Sequence, residues 1–129
     1  MVEERITDGR RIAQLLASEL EGRDDGGLES VAVTDADPDV EATADGARAY
    51  DVTRADDEDE RVARVFVHED RARLEFAIEP DAAAEAAADV DLRVRPKASE
   101  PPRTLVFVES GAAVKRATDV VQAVLRASR

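Results

Sequence analysis

The chain predicts an α+β fold: a two-layer domain whose mostly antiparallel sheet carries the N- and C-terminal helices on one face. Three observations lead there. Apolar residues recur at helical spacing near both ends, the middle alternates in short runs separated by tight-turn signals, and 129 residues leave room for one domain, 1–129, with a single core.

Thr7 is placed to cap a helix over residues 8–21, with Ile12, Leu15, Leu16 and Leu20 on one stripe and Gly22 at its end. The DDGG at 24–27 reads as a loop. Val31 and Val33 then alternate with small or polar neighbours in a strand from about Leu28 to Thr34. Asp45-Gly46 between residues 40–44 and 47–52 is a hairpin signal, with a bulge or longer loop needed because a two-residue turn would set Tyr50 against Glu41. A second hairpin about Asp70-Arg71 would face Val67 with Leu74, Val65 with Phe76 and Ala63 with Ile78, placing the large aliphatics on one side.

Pro80-Asp81 opens the alanine-rich run AAAEAAAD, a short helix to about Asp89. Leu92 and Val94 alternate with Arg93 and Arg95 in a brief strand, the loop from Pro96 to Pro102 breaks it, and Thr104 to Val108 is apolar on both faces, as a central strand would be. Ser110 is placed to cap a last helix with Val114, Ala117, Val121, Val124 and Leu125 on its buried stripe.

Thirty acidic residues against eighteen basic ones give a formal charge of -12, yet 43% of the residues are hydrophobic and clearly patterned, which excludes a disordered acidic tail. Sixteen of the basic residues are Arg and two are Lys, and the apolar residues lean on Ala and Val. In these respects the composition resembles small acidic, uncharacterised proteins of haloarchaeal cytosol. The resemblance implies solvation in molar salt, where the Debye length is about 3 Å and carboxylate repulsion is screened. The element order loosely resembles the frataxin-type arrangement of strands between two terminal helices, although the alanine-rich helix departs from it.

Chemistry has few candidates. Without cysteine there is no disulfide, thiolate nucleophile or Cys-based zinc site. The run ADDEDE at 55–60 reads as a solvated loop, since nothing in it fixes ligand geometry around a cation. Asp35, Asp37 and Asp39 begin with calcium-loop spacing, but Val40 stands where that loop requires Gly and Gly46 where it requires Glu. The lone His68 has no nucleophile near it in sequence and reads as a sheet-face residue. No catalytic residue, metal site or cofactor is assigned, and an enzyme has no positive support. With no apolar leader and no membrane-length segment, the expected location is the cytoplasm.

The charge distribution is more informative. Residues 1–91 hold ten Lys/Arg against twenty-seven Asp/Glu, whereas residues 92–129 hold eight against three. Strand alternation sets Arg64, Phe66, His68, Arg73 and Glu75 on the face opposite the aliphatics, and Arg93 and Arg95 join them. Val106 and Val108 belong there too if Leu105 and Phe107 point to the core. An apolar patch ringed by arginines fits a protein interface, a homodimer or another protein, better than the alternatives. Those are an anionic small ligand, or an enzyme's anionic substrate, held by the same arginines, and then nucleic acid, which so acidic a chain with three Phe and one Tyr disfavours. Concavity separates the first two: a pocket of several hundred Å³ over the face favours a ligand, a flat face a partner. Simple pairing of Arg73 and Glu75 with their neighbours, under a loop or the alanine-rich helix, is the competing structural reading.

Overall fold

A computed structural model describes residues 7–22 and 28–128. The elements are α1 (Gly9–Gly22), β1 (Val31–Thr34), β2 (Ala47–Arg54), β3 (Asp57–Val67), β4 (Ala72–Phe76), α2 (Pro80–Asp89), β5 (Val94–Lys97), β6 (Arg103–Val108) and α3 (Val114–Ala127), with 3-10 turns at Leu28–Ser30 and Gly111–Ala113. The fold is α+β. Its six strands pair in the order β1-β2-β3-β4-β6-β5, every neighbour antiparallel.

Helix α1 packs on β1, β3 and β4, α2 on β5 and β6, and α3 on β6 and on both other helices. All three therefore share one side of the sheet. The predicted helical stripes are the ones buried, except that Leu15 is only half-buried. Wedged between the sheet and two helices, α3 also buries Thr118, Val120 and Gln122. Asp8 rather than Thr7 accepts the Arg11 N–H at 3.2 Å, and Ser110 caps its 3-10 turn through its carbonyl alone. The chain enters α2 through Pro80, crosses to the far edge as β5, and returns as β6 into the space left beside β4. That insertion departs from a plain meander.

Three strand expectations need correction. Residues 40–44 are not a strand, because β1 already occupies the edge of β2, pairing Val33 with Val52; this stretch crosses as a loop and sinks Val40 into the core. The β3–β4 register lies two residues from the expected one: Val67 faces Ala72 and Val65 faces Leu74, with Glu69-Asp70 as the turn. On β6 the alternation is inverted. Val106 and Val108 are fully buried in the core, while Leu105 and Phe107 lie on the opposite face. Pairing decides this, since Leu74 lies opposite Val106 and Arg73 opposite Phe107. The loop at 24–27 lies outside the described residues.

One row across the core side runs Tyr50, Val65, Leu74, Val106, Val94 through five strands. Tyr50 reaches further and donates its hydroxyl to the Ala13 carbonyl at 2.7 Å, tying β2 to α1; burial pushes its pKa far up, so it stays a donor. At the outer edge, the Phe107 N–H donates to the Arg93 carbonyl, and alternation from that bond turns the nitrogen of Pro96 toward the free side of β5.

Candidate functional site

The other side of the sheet carries no helix among the described residues. Two rows of side chains cross it. The first runs Arg48, Phe66, Arg73, Phe107, with Arg93 at its end; the second runs Thr34, Asp51, Arg64, Glu75, Leu105, Arg95. Strand pairing thus alternates guanidinium with aromatic in one row and interleaves opposite charges in the next.

In the first row the Arg73 guanidinium lies 4.4 Å from the Phe66 ring centroid, and Arg71 and Arg93 each lie 5.4 Å from that of Phe107. Such stacking covers the rings while leaving N–H edges free to donate. Phe107 is thereby only 6% exposed.

Glu75 is the centre of the second row. Its side chain is 3% exposed, and Arg73 donates from Nε and Nη2 to Oε2 at 2.9 and 2.7 Å while Arg103 donates to Oε1 at 3.1 Å. Burial alone would raise the Glu75 pKa, but hydrogen bonds and charge from Arg73, with Lys97 and Arg103, outweigh it and hold the carboxyl below its ordinary range. Asp51 is similarly enclosed, accepting from Arg48 at 3.2 Å and Arg61 at 3.3 Å. The competing expectation of local pairing thus describes Arg73 and Glu75, and the loop at 44–46 lies against Arg73, whose Nη1 donates to the Asp45 carbonyl, whereas the alanine-rich helix packs on β5 and β6.

His68, 6% exposed, lies beside the first row, two residues beyond Phe66 and paired with Arg71 at the β3–β4 turn. Its Nδ1 lies 3.0 Å from the Ala44 carbonyl and its Nε2 2.9 Å from Arg73 Nη1, which also donates to the Asp45 carbonyl at 2.9 Å. A carbonyl only accepts and a guanidinium only donates, so these partners assign the neutral tautomer protonated on Nδ1. Burial, followed by the positive charge of Arg71 and Arg73, lowers its pKa despite the Ala44 bond and Asp70. Because the folded state holds His68 neutral, stability should be lost as pH falls below the ordinary value of 6.5, and again below 4.5 as Glu75 titrates. The unfolding midpoint should be flat from neutrality until pH approaches 10, where Tyr50 ionises more readily in the unfolded chain, and His68→Gln should abolish the upper of the two acid declines. A midpoint unchanged between about pH 7 and 5 would refute the assigned contacts.

Of the expected site residues, Arg64, Phe66, His68, Arg73, Arg93 and Arg95 do share this face, and Val106 and Val108 do not. Arg93 pairs with exposed Glu109 at 3.0 Å, whereas the Arg64 and Arg95 side chains have no ionic or hydrogen-bonding partner among the described residues. Arg48, Arg61, Arg103, Lys97 and Phe107 were not expected there; strict alternation from Arg95 through Lys97 was the available signal for one of them. Ala55-Asp56 is the β2–β3 turn, and Asp57 to Glu60 begin β3 rather than lying in a loop. Asp57, Asp59 and Glu60 are exposed, and among the described residues no group of three or more His, Asp or Glu converges as a metal site.

The face is flat. A cleft of about 70 Å³ lies on it, beside Arg61, Arg64 and Arg103. Larger grooves lie elsewhere: about 310 Å³ between α1 and the start of α3, and about 330 Å³ between α2 and α3. A recess of about 300 Å³ at the β3–β4 turn includes His68 but pairs Arg71 with Glu69 and Asp70, a poor setting for an anion. No helix among the described residues is long and apolar enough to cross a membrane.

The chain belongs to a family of unknown function, DUF7993, whose family model matches residues 1–129. No curated protein and no solved structure matches it.

Proposed function

We propose that this protein is a cytoplasmic, salt-adapted interaction domain that pairs with a second copy of itself through the uncovered sheet face. The observation that carries this reading is the pair of side-chain rows just described: a flat surface with Phe66, Leu105 and Phe107 at its centre and arginines between and around them. Flatness favours a macromolecular partner over a small ligand. Stacked guanidinium groups keep bidentate donors for carboxylates, and short-range contacts of that kind persist where salt screens longer-range attraction.

Charge polarity favours a second copy. One edge of the face is basic, with Arg93, Arg95, Lys97 and Arg103 on β5, its approach and β6; the other is bordered by exposed Asp35 and the acidic β2–β3 hairpin. A twofold axis running parallel to the strands, between β3 and β4, stacks the basic edge of each copy over the acidic border of the other. Such an interface closes on itself. The composition that supports a haloarchaeal habitat serves the same reading, because molar salt removes repulsion between two copies each carrying -12.

Light scattering in molar KCl tests this. The parent should have about twice the 14.0 kDa chain mass, and the combined change Phe66→Ala with Arg95→Glu should return it to 14.0 kDa while its circular dichroism stays that of the parent. A parent mass of 14.0 kDa at all concentrations, or a folded double variant that keeps the doubled mass, would overturn the proposal.

A further inference from the structure

We infer that the notch where β4 stops and β3 continues is a binding site for a compact oxyanion of the phosphate type. Strand β3 runs for 11 residues, but its pairing with β4 covers only Arg64 to Val67. Beyond the last pair, Arg64 with Glu75, no strand among the described residues pairs with β3 on this side of Arg61 and Val62, because the chain leaves β4 at Phe76 and turns toward α2. The gap is the cleft of about 70 Å³, bounded by Arg61 and Arg64 from β3, Arg103 from β6, Glu75 at one end and Val62 and Ala77 as apolar wall.

Size selects the ligand. One water needs roughly 10–15 Å³ of cavity, so the notch has room for about five waters, enough for a tetrahedral oxyanion and too little for a nucleotide or sugar. Any larger group attached to the anion must lie outside the notch.

Charge and unmet hydrogen bonding select it too. The Arg103 Nε is buried and has no acceptor among the described residues, although its Nη1 holds Glu75. Buried donors are nearly always satisfied, so an orphan beside a cavity calls for an acceptor within it. The Arg64 guanidinium has no partner among the described residues, and Arg61 engages Asp51 through Nε. Glu75 does not repel an anion strongly, since its oxygens already accept three hydrogen bonds from Arg73 and Arg103. Three guanidinium groups from two strands thus converge where one carboxylate is already neutralised, a setting for charge-assisted bonds to oxygen. The site lies within one chain and does not depend on self-association.

Inorganic phosphate is the probe, titrated at an ionic strength held constant with KCl. Binding should saturate by calorimetry, raise the unfolding midpoint above that in chloride alone, and shift the Arg103 Nε–H resonance of nitrogen-labelled protein. Arg64→Gln and Arg61→Gln, both partly exposed and outside the Glu75 cluster, should each weaken it about tenfold, the loss of one charge-assisted contact. Lys115→Gln, on the helix side, should change nothing. Glycerol phosphate distinguishes the sources: binding no tighter than phosphate indicates a free anion, tighter binding the headgroup of a larger molecule, and both uphold the site. No saturable heat, an equal effect of chloride, or unaltered binding in the doubly substituted Arg61→Gln, Arg64→Gln chain would overturn it. Measuring mass by light scattering in the same samples keeps this outcome separate from that for the dimer.

Discussion

Replacing Gly9 with alanine should lower the unfolding midpoint by about 10 °C or more, the largest effect expected of so small a change. Gly9 is the first residue of α1, is buried, and donates its N–H to the Glu69 carbonyl at 3.0 Å. A methyl group there would run into the backbone oxygen of His68 and lie 2.5 Å from that of Arg71. Side-chain atoms could rotate aside; two backbone carbonyls of a two-residue turn cannot. Overpacking usually costs about 1–3 kcal/mol, and this contact with fixed atoms belongs at or above the upper end. At about 3–5 °C per kcal/mol for a domain of this size, that gives the stated shift. Gly22 is the control, because a methyl group there meets nothing within 4 Å and should be neutral or stabilising by up to about 1 kcal/mol. If Gly9→Ala melts within 2 or so degrees of the parent by calorimetry, α1 is not pressed against the β3–β4 turn.

Glu75→Leu should be nearly as damaging, by about 3 kcal/mol. The substitution fills space but leaves the Arg73 and Arg103 side chains, 12% and 26% exposed, facing one another without their shared carboxylate. Removing one partner of a buried ionic group typically costs about 3–5 kcal/mol, and the lower figure applies because Arg103 can swing toward solvent while Arg73 keeps its bond to the Asp45 carbonyl. Glu75→Gln, which keeps an acceptor, should lose less. Arg93→Ala removes the exposed pair with Glu109 and one of the two guanidinium groups over Phe107, and should cost no more than about 1 kcal/mol. Denaturant titrations of the three variants check the ranking; a Glu75→Leu protein as stable as the parent would show that the arginines do not need the carboxylate.

The sheet face was legible where alternation alone decides it. Moving the β3–β4 register by two residues, from a turn at Asp70-Arg71 to one at Glu69-Asp70, changes every cross-strand partner yet moves no side chain to the other face. Arg64, Phe66 and Arg73 were therefore placed correctly from a turn that was misplaced. Thr104 to Val108 offered no such protection. With apolar residues on both sides, its parity follows from long-range pairing with Leu74, which neighbouring residues do not encode.

Glu75 was placed on the right face, but not its burial, because a glutamate in an alternating strand ordinarily meets water. Its enclosure needs Arg103, 28 positions away, to arrive on a strand inserted beside β4. Residues 40–44 misled for a related reason. Asp45-Gly46 does turn the chain, with Gly46 at φ 92°, but the strand it appears to join is displaced by β1.

The free side of β5 has a further consequence. Pro96 presents no N–H there, charged Arg95 and Lys97 flank it, and β1 at the opposite margin is only four residues long. A sheet with bare edge strands would otherwise invite chains to add strand by strand into fibrils. Here both margins are blunted against lateral growth, so a crowded solution of this protein has little means of building the indefinite ribbons that exposed β-structure ordinarily risks.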